Sequence, residues 1–284
     1  MGSVRWAFRC GSWTPSRSDW LLAARCIQRE EKDRIGQFAF AKDAKSAMAG
    51  RLLLRRFVCE RMGIPWSQIR LERSPRGKPY LAAPLKVSSD SGPELPAWSF
   101  NLSHQGDYAV LAAEQGVQVG VDIMKTTMPG SISVPEFFRI MTRQFTAYEW
   151  SVIQSAGLEN QQLAAFYRHW ALKESFIKAI GTGLGFNLQR TKMHLDEEEE
   201  EDWIFEESLL DADHHIAVAL GPADRAGTAP LCSSLPPPTS FTLLSFSDLI
   251  ASASPLTAED PSCWESFNMK AEAPQRQRET HTSK

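Results

Sequence analysis

Along residues 161–180 apolar side chains recur at helical spacing. Leu163, Phe166, Trp170 and Ile177 fall on one stripe at about 100° per residue, which predicts an amphipathic helix. Glu174 interrupts that stripe, and Lys173 and Lys178 flank it. A carboxylate turned toward a core is costly unless a cation, a metal or several donors meet it. Gly181, Gly183 and Gly185 then stop the helix. From the helix alone, an ordinary i,i+4 pair between Glu174 and Lys178 at the edge of a core fits equally well.

A second pattern lies upstream. Over 117–124, Val117, Val119, Val121 and Ile123 alternate with Gln118, Gly120, Asp122 and Met124, the period of a half-buried strand. Asp122 then points away from the valine face, and Gly120, on its own side, leaves the backbone open to a ligand. A strand-end aspartate facing water is the ordinary alternative.

Around these two, 4–8 reads as a strand and 17–25 as a short helix capped by Ser16 or Ser18. Residues 30–34 start a charged helix, and 43–62 form a long amphipathic one ended by Gly63. A short strand at 69–71 leads to a turn where Arg73, Arg76 and Lys78 surround Gly77. Such a turn suits phosphates, because glycine admits close backbone approach and the cations add charge-assisted hydrogen bonds. A plain basic surface turn has the same composition. A loop at 86–96 precedes a strand at 98–102, a turn at Gln105-Gly106-Asp107 and a hairpin whose second strand carries Asp122. One helix or two, broken near Thr146, span 136–156. Segments 186–195 and 201–210 read as strands, and the acidic run 196–202 as a solvated turn.

The strand 214–220, led by His214, echoes 104–111, led by His104. Each half thus runs long helix, glycine break, strands, histidine-led apolar strand. The expected fold class is α+β, a pseudo-duplicated pair of subdomains, 1–115 and 116–220, with a site between them. Residues 221–240 read as a flexible linker, 241–270 as a C-terminal extension with a strand and helical turn at 241–250, and 271–284 as a disordered tail.

The 284 residues, 43% hydrophobic and 23% charged, suffice for a sizeable core. A net charge of −3 gives no global attraction to nucleic acid or an acidic membrane, so any anion site must be a local basic pocket. Five widely separated cysteines form no zinc spacing and fit reduced thiols in the cytosol. No run approaches the roughly 20 apolar residues of a membrane span. The expectation is a cytosolic monomer.

V-G-V-D at 119–122 and W-A-L-K-E-S-F-I-K at 170–178, about fifty residues apart, together resemble the signature of the 4′-phosphopantetheinyl transferases of the surfactin-synthetase type. The resemblance runs from about Val4 to Leu220 and returns around 241–267. It implies the pseudo-duplicated fold of that family and a Mg²⁺-dependent holo-[acyl-carrier-protein] synthase reaction. In that reaction the 4′-phosphopantetheine of coenzyme A passes to a serine of an apo acyl carrier protein, releasing adenosine 3′,5′-bisphosphate. It also implies Asp122 and Glu174 as metal ligands, and Glu174, Lys178 and His104 as catalytic residues. For coenzyme A it singles out Arg34, on the 3′-phosphate, and the turn of Arg73, Ser74, Pro75, Arg76, Gly77 and Lys78. To these it adds the N-x-S-H element, Asn101, Leu102, Ser103 and His104, and on the helix Glu174, Ser175, Phe176, Ile177 and Lys178. The acceptors implied are carrier domains of fatty-acid synthase, a mitochondrial-type carrier protein and aminoadipate-semialdehyde dehydrogenase.

Two departures stand out. Many bacterial relatives have D-x-E where this chain has Asp122-Ile123-Met124, and a thioether is a poor magnesium ligand, so an extra water or the Gln105 amide oxygen must substitute. The interval after Gln189 is short for the family, which keeps a non-catalytic coenzyme A or carrier-binding module in view. Two acids alone would also fit another magnesium-dependent phosphoester enzyme acting on nucleotides.

Overall fold

The computed structural model describes residues 2–75, 77–82, 97–181, 203–222 and 239–274. β1 (Val4–Arg9) leads to α1 (Arg17–Arg25), where the Ser16 hydroxyl accepts from Asp19 N and the Asp19 carboxylate accepts from Ser16 N, a capping box. Next come α2 (Arg29–Gly36) and α3 (Ala41–Met62), the latter closed by Gly63 at φ 70°. A 3-10 turn at Trp66–Gln68 occupies the approach to the expected strand at 69–71, so β2 (Leu71–Arg73) begins two residues late and pairs with β3 (Pro79–Leu81) across the basic turn.

β4 (Trp98–Gln105) and β5 (Tyr108–Gln115) form the hairpin, turning at Gly106. Asp122 is therefore not on the hairpin partner of β4. It lies one strand later, on β6 (Val117–Lys125), because β5 intervenes with both faces apolar and buried. The second half continues with α4 (Val134–Ile140), α5 (Ala147–Gln154), α6 (Glu159–Ile180), β7 (Ile204–Asp211) and β8 (His214–Pro222). The break at Thr146 is a capping box with Glu149 that starts α5. β9 (Thr242–Leu244), α7 (Phe246–Ile250) and α8 (Pro261–Asn268) then return to the first half.

Two main sheets result, ordered β4-β5-β1-β9 and β6-β8-β7. Side-chain parity stacks them. Ala109, Leu111 and Ala113 of β5 pack with α3, while Val110 and Ala112 meet Val119, Val121 and Ile123 of β6. The even positions of β6 face α6. The layers run helix, sheet, sheet, helix, an α+β architecture with one long helix per half.

Gly120 proves to serve packing. A Cβ there would overlap the Ser175 carbonyl oxygen and lie 2.5 Å from Ala179 N, so the missing side chain admits α6 rather than a ligand. On the edge of β6 not paired with β8, the odd-numbered polar residues of β4 cap the backbone. Val119 N–H donates to Ser99 Oγ at 3.2 Å, Val121 N–H to Asn101 Oδ1 at 2.9 Å, Ile123 N–H to Ser103 Oγ at 3.3 Å and Lys125 N–H to Gln105 Oε1 at 2.5 Å. Four side chains thereby satisfy an edge that would otherwise be exposed.

Arg76, the loop 86–96, the segments 186–195 and 196–202 and nearly all of 223–240 and 275–284 fall outside the described residues. Gly221 and Pro222 belong to β8 rather than to a linker. At the start of the expected tail, Ala271 and Glu272 carbonyls accept from Ala41 N and Lys42 N, capping the first turn of α3.

Candidate active site

Between the halves lies a cavity of about 860 Å³. Its first wall comes from the end of α2, the middle of α3, the basic turn and the end of β4; its second is the C-terminal half of α6. The two ends differ in charge.

At the α6 end, Asp122 sits just beneath the wall, buried, and is reached by two side chains that line it. Lys178 Nζ donates to Asp122 Oδ1 at 2.5 Å and to Ser103 Oγ at 3.1 Å, and the Ser103 hydroxyl donates to the same Oδ1 at 3.0 Å. Asp122 Oδ2 is buried with no hydrogen-bond partner among the described residues. Glu174, half-buried, receives no hydrogen bond or ion pair among the described residues, so it is not the simple partner of Lys178. Burial, then the nearby Asp122 charge, push the Glu174 carboxyl above its usual range, and Lys178 only partly offsets them. Burial likewise raises Asp122 against the pull of Lys178 and Ser103. Two carboxylates held near each other, one with a bare buried oxygen, form a place for a hard cation.

Lys173 belongs elsewhere. It is buried on the far side of α6, paired with Glu149 at 2.7 Å and lying 4.9 Å from the Phe145 ring centroid. Of the other helix positions, Ile177 reaches the cavity, whereas Ser175 is fully buried with its hydroxyl on Leu172 O, and Phe176 packs against Trp203. The twist of α6 explains the division, since residues 174, 177, 178 and 181 share one face.

At the opposite end, Arg34, Arg51 and Arg73 surround the buried carboxylate of Glu31. The turn closes with Ser74 N donating to Lys78 O at 2.9 Å and Gly77 at φ 80°, and Lys78 Nζ reaches the Lys178 carbonyl at 3.5 Å. Ser74, Pro75, Gly77, Lys78, Asn101, Leu102 and Ser103 all touch the cavity, although the Asn101 amide oxygen is engaged by β6. His104 lies in the same wall, reachable by solvent yet closed in by protein. Burial, then Lys178, Arg34 and Arg51, hold its pKa below 6.5, so the ring is neutral at pH 7. Gln105 is no substitute for the missing ligand, because its oxygen is taken by Lys125 N. Met124 packs into apolar clusters beside α6.

The sequence reading missed Glu31 and, on α3, Ser46, Gly50 and Arg51, which also line or order the cavity. The sequence offers no separate signal for Arg51, because only the fold shows that the stretch of α3 from Ala44 to Arg55 is buried throughout. Arg51 lines the cavity there beside the small residues Ala47 and Gly50.

A cavity with paired carboxylates and a lysine at one end and clustered arginines at the other suits a polyphosphate substrate. A family model described as 4′-phosphopantetheinyl transferase, N-terminal, matches residues 11–116, and one for the 4′-phosphopantetheinyl transferase superfamily matches 118–222. The chain belongs to the 4′-phosphopantetheinyl transferase superfamily. This transferase is 55% identical to the L-aminoadipate-semialdehyde dehydrogenase-phosphopantetheinyl transferase of Xenopus laevis, over 98% of this chain and 96% of the frog protein. It is 54% identical to the Homo sapiens protein of the same name, over 96% and 94%, and 32% identical to the 4′-phosphopantetheinyl transferase of Bacillus subtilis, over 62% and 69%. The transferase takes coenzyme A as substrate and moves its phosphopantetheine to carrier proteins. The α+β pseudo-duplication expected from the sequence is that of the two tandem family segments.

Proposed function

We propose that transfer depends on Mg²⁺ held by Asp122 and Glu174, and that a carrier-protein serine attacks the β-phosphorus of coenzyme A and displaces adenosine 3′,5′-bisphosphate. The observation that carries this is the bare, buried Asp122 Oδ2 beside a Glu174 carboxylate that has no hydrogen-bond or ion-pair partner among the described residues. Both offer hard oxygen ligands, and no third acidic, histidine or cysteine side chain joins them among the described residues, which leaves the remaining positions to water and phosphate. When bound, the ion supplies positive charge to the diphosphate oxygens.

The chain's own groups supply the rest. Lys178, fixed by Asp122 and Ser103, directs its ammonium at the same phosphates and stabilises charge that grows as the bond to the leaving group breaks. Glu174, the carboxylate that faces the cavity, accepts the serine proton. His104, neutral, donates a hydrogen bond to a phosphate oxygen. Lys78 and the arginine cluster orient the nucleotide.

Carrier domains of fatty-acid synthase, a mitochondrial-type carrier protein and aminoadipate-semialdehyde dehydrogenase are the acceptors we propose; the frog and human relatives above carry the last of these in their names. One copy suffices, since every group named comes from a single chain, and Cys10, Cys26, Cys59 and Cys263 are unpaired thiols, which supports work in the reducing cytosol.

The test is the intact mass of an apo acyl carrier protein after incubation with the transferase, coenzyme A and Mg²⁺. A gain of one phosphopantetheinyl unit, lost without metal and in Glu174→Gln, is expected. Undiminished transfer by Glu174→Gln would refute its role as base.

A further inference from the structure

The two histidines that head matching segments of the sequence, His104 and His214, converge on one turn of the fold. β4 and β5 pair inward as far as Gln105 and Tyr108, so Gly106 and Asp107 alone make the turn, directly beyond His104 and Gln105. A ladder closed by Gln105 and Tyr108 does not use the Asp107 N–H, which must find an acceptor elsewhere. His214, from the other half of the molecule, supplies it: Asp107 N donates to His214 Nε2 at 3.1 Å. Gly106 permits the approach, because a Cβ there would overlap that same nitrogen.

The His214 side chain is 1% exposed and is not on the cavity wall. Its second nitrogen, Nδ1, lies 2.8 Å from Asp211 Oδ1. An acceptor at Nε2 requires the proton to sit on Nδ1, and the Asp211 carboxylate receives it there. Asp211 is fixed in turn by the backbone N–H groups of Asp213 and His214 at 2.9 and 3.0 Å and by the Tyr108 hydroxyl at 3.2 Å. Other grips act on the same turn. Asp107 O accepts from Gly11 N at 3.0 Å, and Lys125 Nζ reaches Asp107 Oδ2 at 2.8 Å. His104 is two residues from Gly106, so the place of its ring on the wall follows the place of this turn.

We propose that His214, held in its Nδ1–H form by Asp211, is a positioning residue for His104: by accepting from the Asp107 N–H it fixes the β4–β5 turn against the second half and so sets the His104 ring in the cavity. It rests on the transfer reading above only for what that ring touches.

Two substitutions separate the duties of the imidazole. His214→Gln puts an acceptor where Nε2 stood, while His214→Asn keeps a donor for Asp211 and leaves the Asp107 N–H bare. In carrier modification, His214→Gln should keep kcat/KM for coenzyme A within about threefold, and His214→Asn should lower it about 10- to 100-fold, the scale of a misplacement of about 1 Å. In a His104→Ala background His214→Asn should cost less than about threefold, since no ring remains to be placed. Equal losses in both backgrounds, or asparagine tolerated as well as glutamine, would overturn the proposal. NMR of the ligand-free protein reads the same joint without turnover. His214 should carry its proton on Nδ1, and the His104 ring signals should move in His214→Asn and hold in His214→Gln. The opposite tautomer, or His104 signals that hold in both variants, would also overturn it. If His214→Asn does not fold, the tautomer and the glutamine variant decide: a proton on Nε2, or loss of transfer in His214→Gln, counts against the proposal. Absence of carrier modification by the unmodified protein, with the NMR pattern as expected, would sink the transfer reading and leave this one standing.

Discussion

Replacing Gly120 by alanine tests the joint between strand and helix on which the catalytic geometry depends. The new methyl would overlap the Ser175 carbonyl oxygen and stand 2.5 Å from Ala179 N, where ordinary contact begins near 3.4 Å. Both obstacles are helix backbone, so no side chain can swing aside. α6 must retreat by about 1 Å or more, and overpacking of this kind costs about 1–3 kcal/mol. For a chain of this size that corresponds to a melting point lower by roughly 2–12 °C. The retreat also draws Lys178 and Glu174 away from Asp122. Displacement of about 1 Å can cost about 100-fold in rate, so transfer should fall further than the melting point alone implies. The assay pairs thermal unfolding with initial rates of carrier modification at saturating coenzyme A. A variant with unchanged melting point and rate would show that the helix does not rest on Gly120 as described.

Three further outcomes follow from the electrostatics. In metal-free buffer at pH 8, Asp122→Asn should be no less stable than the parent, because burial already raises that carboxyl's pKa and so makes its ionised form unfavourable, and Lys178 retains solvent contact; Mg²⁺ should then raise the melting point of the parent only, and a shift shared by both would contradict the assignment. Glu207 is pushed up by burial, yet its hydrogen bonds with His215 and Arg168 win and bring it down to about 2. Its depressed value means that its stability is present above the unfolded value near 4.5 and lost as pH falls toward 2; Glu207→Gln should cost about 1–3 kcal/mol in urea unfolding at pH 7 and progressively less below pH 4.5, and a constant difference would refute the pairing. In ligand-free protein the His104 ring should titrate below 6.5 by NMR and move upward when coenzyme A brings phosphate beside it; a midpoint at or above 6.5 without ligand would contradict the cationic surroundings.

The elements that position the site were readable where one periodicity governed. α6 and β6 follow directly from the Leu163 to Ile177 stripe and the valine alternation, and Asp122 faces the helix as that alternation requires. What failed depended on partners remote in sequence. Gly120 looked like room for a ligand because the helix that fills the room lies some fifty residues on. Lys173 looked like a flank of Glu174, but α6 is buried on most sides and Glu149 takes that lysine from behind. The alternate polar residues of β4 gave no hint that their acceptors would meet the backbone of β6, since no local rule relates a strand to another sheet's edge. Arg51 was hidden among other cations of α3, where only the fold separates buried from exposed.

The returning segment bears on the order in which the molecule can be completed. β9 lies parallel to β1, pairing Trp6 with Thr242; Phe267 stacks on Trp20 with ring centroids 3.8 Å apart, and Ala271 and Glu272 cap the helix that carries Arg51. A ribosome delivers β1 first, but that strand gains its outer neighbour only when 242–272 have emerged. The half that is synthesised earliest is thus the half that is finished last. A message cut short after Pro222 would encode both long helices and every charged group assigned to the cavity, yet its product would have an open edge on β1 and bare amides at the start of α3, and the quality-control machinery of the cell would meet it as an unfinished protein.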